Sequence, residues 1–138
     1  MASPSPARKP WWRRWFGDRS ERAAARFLRR AGYRILARNH WTSQGELDLV
    51  ALDGTTIVFV EVRSTGEADA SRPAESVDAA KQQRLTMAAL EFLRGHGLLG
   101  QPARFDVIAL AWPTGQKEPR IIHYPQAFEA VGRWQMFS

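Results

Sequence analysis

Three carboxylates stand on two consecutive runs that read as strands: Glu46 and Asp48 in GELDLVALD, and Glu61 in TTIVFVEVRS. Strand side chains alternate between faces, so Glu46 and Asp48 share one face of the first run, and Phe59, Glu61 and Arg63 share one face of the second. The runs are joined by Leu52-Asp53-Gly54-Thr55, where Asp-Gly favours a two-residue hairpin turn. A two-residue loop sets Asp48 opposite Phe59 and Glu46 opposite Glu61, whereas a four-residue loop sets Asp48 opposite Glu61; either register gathers carboxylates on one face. Like charges directly across a sheet are destabilising. The cluster therefore calls for a cation or a basic ligand, and a divalent metal is the natural candidate. The competing reading is an ordinary half-exposed strand pair, with Leu47, Leu49, Val58, Val60 and Val62 inward and the charges solvated. The wealth of β-branched and apolar residues argues for central strands, a poor place for solvated acids.

Such a cluster suits hydrolysis of a phosphodiester, which needs a nucleophilic water, neutralisation of developing charge and stabilisation of the leaving oxygen. Carboxylate-held Mg²⁺ supplies all three. Magnesium keeps several waters and takes one or two protein carboxylates, so Asp48 and Glu61 suffice as metal ligands. Arg63 shares the face of Glu61 and can meet the scissile phosphate.

The elements that must position these groups are legible from periodicity. Asp18 begins a helix that runs to about Ala31, with Glu21 as a capping-box partner and Gly32 as the stop. Its apolar stripe is Ala24, Phe27, Leu28 and Ala31. Glu21 lies at the edge of that stripe and can reach the space between helix and sheet, or simply cap the helix. Strands are expected over Arg34 to Trp41, Glu46 to Leu52 and Thr56 to Arg63, then a mobile loop from Ser64 to Glu75 that can lie over the site. A long helix occupies about Ser76 to Gly95, with Val77, Leu85, Ala88, Ala89 and Phe92 on its apolar face. Lys81 falls in the middle of that face, where it either snorkels past the core or meets the carboxylates. Arg104 to Ala111 is a fourth strand and Arg120 to Tyr124 a short edge strand, followed by a helical turn over Gln126 to Val131. The order α-β-β-β-α-β-β implies an α/β fold, with a mixed sheet in which the fourth strand returns parallel to the third and helices pack on the sheet.

At 138 residues the chain is expected to hold one core. Residues 1–17 read as a flexible, basic and aromatic extension and residues 18–138 as a single domain. A net charge of +6 and a pI of about 10.7 point to an anionic partner, nucleic acid ahead of an acidic membrane. In WWRRWF, Trp11, Trp12, Trp15 and Phe16 can stack on bases beside Arg13 and Arg14, sit at a membrane interface, or pack onto the body. The chain has no cysteine, which excludes thiol nucleophiles, disulfides and cysteine-held zinc and suits the cytoplasm. No run approaches a membrane span. His40, His96 and His123 lack metal-ligand spacing and are expected at the surface or in turns.

The blocks GYRILARNHW, GELDLVALDG, VFVEVR, SVDAAKQQRL and RFDVIAL resemble the bacterial YraN-like family of uncharacterised proteins, which is similar to archaeal Holliday-junction resolvases. An acid in a strand, about a dozen residues, then Glu-x-Lys in the next strand, with a helical Glu upstream, is the signature of the PD-(D/E)XK nuclease-like superfamily, which Asp48, Glu61 and Glu21 resemble. The resemblance covers about Arg19 to Phe128. It implies a restriction-endonuclease-like core and an Mg²⁺- or Mn²⁺-dependent DNA endonuclease acting at branched or damaged structures. On that pattern Glu21 is the helical acid, Asp48 and Glu61 hold metal, and Arg63 stands where the superfamily has lysine. Arginine clamps phosphate but stays protonated, so its role is electrostatic, and Lys81 is the candidate to replace the missing ammonium. Gln82 and Gln83 are candidates to touch nucleic acid; Glu46 and Asp106 either extend the metal shell or make structural hydrogen bonds. The alternatives are a catalytically inactive nucleic-acid-binding module and a protein-interaction adaptor anchored through Trp11 to Phe16. The resolvase analogy also implies a homodimer, since a junction presents two strands for symmetric cutting.

Overall fold

The computed structural model describes residues 11–65 and 77–130, with side chains for residues 19–64 and 77–130. In chain order these form α1 (Trp11–Arg30), β1 (Arg34–Thr42), β2 (Gly45–Asp53), β3 (Thr56–Thr65), α2 (Ala79–Gly95), β4 (Ala103–Ala111) and β5 (Arg120–Phe128). The strands make one sheet in the order β1-β2-β3-β4-β5, antiparallel except for the parallel β3–β4 pair. That exception falls where α2 separates two strands, because a helical crossover returns the chain in the same direction and a tight turn reverses it. The expected element order and mixed sheet are therefore present.

Apolar clusters cover both faces of the sheet. Ala24, Ala25 and Leu28 of α1 pack with Leu49, Ala51, Val58, Val60, Ile108 and Leu110. On the other face Leu85, Ala88, Ala89, Phe92 and Leu93 of α2 pack with Val50, Ile57, Phe59, Phe105 and Val107. Covering both faces is why the central strands read as near-continuous apolar runs. Truncating a fully buried member such as Leu28 to alanine would cost about 2–5 kcal/mol.

Helix α1 ends as expected at Gly32, whose φ of +96° is accessible to glycine without strain. There Gly32 N donates to Arg29 O at 3.0 Å and Tyr33 N to Leu28 O at 2.9 Å, closing the last turn. Its start differs from expectation. The helix reaches back to Trp11, so Asp18 lies inside it and is not an N-cap, and Glu21 has no capping-box role. Gly17 costs about 1 kcal/mol inside a helix, but the tryptophan, arginine and phenylalanine before it are ordinary helix residues, so the helix runs through it. Helix α2 begins later than Ser76, because Asp78 caps it by accepting from Lys81 N at 2.8 Å.

The helical turn expected over Gln126 to Val131 is replaced, within the described residues, by the continuation of β5 to Phe128. A bulge where Gln126 adopts φ 51° shifts the register, and Phe128 then stacks on Phe105 with ring centroids 4.9 Å apart. The N-terminal tail over 1–10, the stretch from 66 to 76 and Val131 lie outside the described residues, so the tail and the loop expected over the site are not seen. No helix among the described residues is long and apolar enough to cross a membrane.

Candidate active site

The β2–β3 hairpin pairs Asp53 with Thr56 and Leu49 with Val60. The turn is Gly54-Thr55, with Gly54 at φ +61°. Continued by one step, this register sets Asp48 opposite Glu61, the pairing expected of a four-residue loop; the loop has two residues, but they are Gly54-Thr55 and not the expected Asp53-Gly54, and moving the turn one residue along the chain is what replaces Phe59 by Glu61 opposite Asp48. Val62 N donates to Asp48 Oδ2 at 2.9 Å, so a carboxylate takes over where the backbone ladder ends.

On the other side of β2, strict alternation fails. Leu47 packs in the cluster under α2, whereas Leu49 and Ala51 pack under α1, which corrects the expectation that Leu47 and Leu49 share a face. The pairs Arg38–Leu49 and His40–Leu47 bracket Asn39 beside Asp48, and Asn39 adopts φ 50°. Asparagine tolerates this left-handed region better than most residues. The kink sends His40 onto Phe92, with ring centroids 5.1 Å apart. With its amide nitrogen turned toward α1, Asn39 donates to Glu21 Oε1 at 2.8 Å and Oε2 at 2.5 Å. One turn of α1 is pinned alongside: Trp112 Nε1 donates to Ser20 Oγ at 3.0 Å, and the Arg19 guanidinium lies 3.6 Å above the Trp112 ring.

Carboxylate oxygens of Glu21, Glu46 and Asp48 consequently lie within 4.8 Å of one another. Glu21 is 3% exposed, Glu61 6% and Asp48 9%, so these charges are held largely out of water. Burial above all, then the neighbouring Glu61 and Glu21 carboxylates, pushes Asp48 well above its ordinary pKa of 3.8, against the opposing bond from Val62 N. The cations expected beside them are present at Glu61. Lys81 Nζ lies 2.6 Å and Arg63 Nε 3.6 Å from Glu61 Oε2.

All of these groups except Glu21 line a cleft of about 350 Å³. Glu46, Asp48 and Glu61 meet Arg63, Lys81 and Arg84 there, and Trp41 and Gln44 stand exposed at its edge. Sequence reasoning ranked Glu46 behind the others, whereas the fold groups it with Glu21 and Asp48. It missed Arg84, although Arg84 follows Lys81 by one helical turn on the same face. It also missed Asn39, Trp41 and Gln44.

Other sequence-selected residues are elsewhere. Asp106 is fully buried and away from the cleft lining, and takes the structural alternative: it accepts from Arg104 Nε at 3.0 Å and Gln126 N at 2.9 Å and pairs with His123 Nε2 at 2.7 Å. Burial alone would raise its pKa, but the His123 and Arg104 bonds outweigh it and leave the pKa lowered. His123 is thus an internal partner and His40 a packed ring, not the surface or turn residues expected. Gln82 turns its amide to Val77 O at 2.9 Å, and Gln83 is exposed but does not line the cleft. The side chains of Arg13 and Arg14 lie outside the described residues.

The fold and site together define an α/β protein with a five-stranded mixed sheet and an acidic cleft faced by lysine and arginine. The chain belongs to the uncharacterised protein family UPF0102, whose family model matches residues 20–110. A UPF0102 protein of Anaeromyxobacter dehalogenans is 46% identical over 121 residues, 88% of this chain and 89% of that protein. One from Rhodopirellula baltica is 45% identical over 119 residues, 84% of this chain and 71% of that protein. Another, from Pelotomaculum thermopropionicum, is 41% identical over 116 residues, 84% of this chain and 97% of that protein. The YraN-like resemblance of the sequence blocks is thereby borne out.

Proposed function

We propose that this protein is a divalent-metal-dependent nuclease that hydrolyses DNA phosphodiester bonds, with a restriction-endonuclease-like core of the PD-(D/E)XK kind. The observation that carries the reading is the set of buried Glu21 and Asp48 with half-buried Glu46, oxygens within 4.8 Å, adjoining Glu61 with Lys81 and Arg63 against it. All its acidic donors are hard oxygens, and the upward push on Asp48 is the mark of unneutralised buried charge, so the residues fit Mg²⁺ or Mn²⁺. Asp48 and Glu61 would hold the ion, with Glu46 and Glu21 adding negative charge beside it. Bound there, the ion supplies neutralisation of phosphate charge and activation of water.

The remaining chemistry falls to the chain itself. Arg63, permanently protonated, binds a phosphate oxygen and orients it; Lys81 Nζ can hold or release a proton next to Glu61. The net charge of +6 favours approach of a polyanion. Arg63 at the position of the superfamily's lysine favours a second reading, a binding module without turnover. Both are tested with linear, flap and four-way-junction DNA in Mg²⁺ and Mn²⁺. Cleavage that disappears in Asp48→Asn and Glu61→Gln supports the nuclease, salt-sensitive binding without cleavage supports the module, and cleavage surviving both substitutions removes these residues from the mechanism.

A further inference from the structure

We infer that Trp41 is a stacking platform for one unpaired nucleobase at the acidic cleft, so the substrate class is nucleic acid with an unpaired nucleotide next to the phosphate that is held. This rests on the nucleic-acid reading of the site. The large apolar residues exposed among the described residues are Leu36, Trp41, Met87, Leu99 and Ile122; Trp41 is the most exposed of them, at 48%, and of these five it alone lines the cleft. An indole left in water forgoes the burial of its large apolar area, which a flat ring laid on it would restore. Trp41 pairs in register with Glu46 of β2, so its strand position is fixed directly beside the carboxylates.

Size and chemistry narrow the ligand. A cleft of about 350 Å³ is at the small end of ligand sites, room for about one nucleotide and not for a duplex. Inside a duplex both faces of a base are covered by its neighbours, so only an unpaired or extruded base can lie on Trp41. Gln44 offers an amide donor and acceptor to a base edge at the same rim, and Arg84, on the helix face of Lys81, offers a guanidinium to a flanking phosphate. Stacking on an aromatic platform tolerates any base sequence, so selectivity here is for strand structure rather than for a motif.

The test uses the full chain with oligonucleotides carrying 2-aminopurine, as single strand, flap and blunt duplex, bound in EDTA and in Ca²⁺, while Mg²⁺-dependent cleavage of the same series is read separately. The expected result is fluorescence quenching with single strand and flap, binding weakened about 5- to 150-fold in Trp41→Ala, and most affinity kept in Trp41→Phe. Blunt duplex is expected to bind more weakly and to be indifferent to Trp41. Equal binding of all three substrates, no binding by the wild type, or unchanged affinity in a folded Trp41→Ala variant overturns the inference. Where Trp41→Ala does not fold, the wild-type comparison and Trp41→Phe decide it. Trp41-dependent binding without cleavage of any substrate leaves the platform standing and removes the nuclease; cleavage indifferent to Trp41 does the reverse.

Discussion

Lys81 Nζ, in the first turn of α2, lies 2.6 Å from Glu61 Oε2 in the middle of β3. Asp78, capping the helix through Lys81 N, fixes the backbone that carries this ammonium. Arg63 approaches the same oxygen at 3.6 Å, so one buried carboxylate faces two cations of different chemistry, one permanently charged and one able to part with a proton.

If Lys81 moves or holds a proton, Lys81→Met should slow cleavage by about 100-fold or more, and Lys81→Arg should not restore it. The stability change should be small, about 1 kcal/mol or less, because Lys81 is one-third exposed and such pairs are screened. Single-turnover rates and thermal unfolding of the same variants check this. A slowed rate restored by arginine would assign Lys81 charge alone.

Asp48 is destabilising when charged and unneutralised, since burial and its acidic neighbours oppose ionisation. Asp48→Asn should therefore raise the unfolding midpoint in EDTA. Mg²⁺ at about 100 times its dissociation constant should stabilise the wild type by about 2.7 kcal/mol and leave the variant unmoved. An equal Mg²⁺ response in both proteins would take Asp48 out of the metal site.

Asp106 contributes to the acid limb of stability. Its folded-state pKa lies below the ordinary 3.8, so its contribution is present above the unfolded value and is lost as pH falls through the folded one. Asp106→Asn should destabilise the protein by about 3 kcal/mol at neutral pH by removing the buried charge that Arg104 and His123 share, which leaves Arg104 only the exposed Asp53 and the Tyr33 hydroxyl, with the difference shrinking at the acid end. Urea midpoints measured across pH report the slope; a constant difference down to the acid end would contradict the linkage.

Asn39 combines a left-handed backbone with a bond to Glu21. Asn39→Ala should lose both and cost about 1–2 kcal/mol, whereas Asn39→Gly should keep the kink and most of the stability. Both variants should lower activity to a similar extent, because both release Glu21. Denaturation curves paired with cleavage rates separate the two effects.

Much of this protein is legible along the chain. Asp48 and Glu61 on adjacent apolar strands, Lys81 interrupting the stripe between Val77 and Leu85, and Gly32 closing α1 are near-neighbour patterns, and the structure keeps each of them. Boundaries are less legible. Asp18 has the chemistry of a cap, yet nothing in residues 11–17 prevents a helix from starting earlier, and Gln126 to Phe128 reads as a turn until its pairing with Phe105 is known.

The sequence by itself determined the order of elements and the acids and lysine of the cleft, because periodicity, turn chemistry and charge are local properties. Only the tertiary structure decided that Glu21 joins Glu46 and Asp48, that Asn39 breaks the alternation beside them, that Trp41 and Arg84 border the same cleft, and that Asp106 is spent on Arg104 and His123 instead. Each of these depends on strand register and on where a helix docks. Such distances between remote segments are set by packing of the whole core, and no stretch of neighbouring residues contains them.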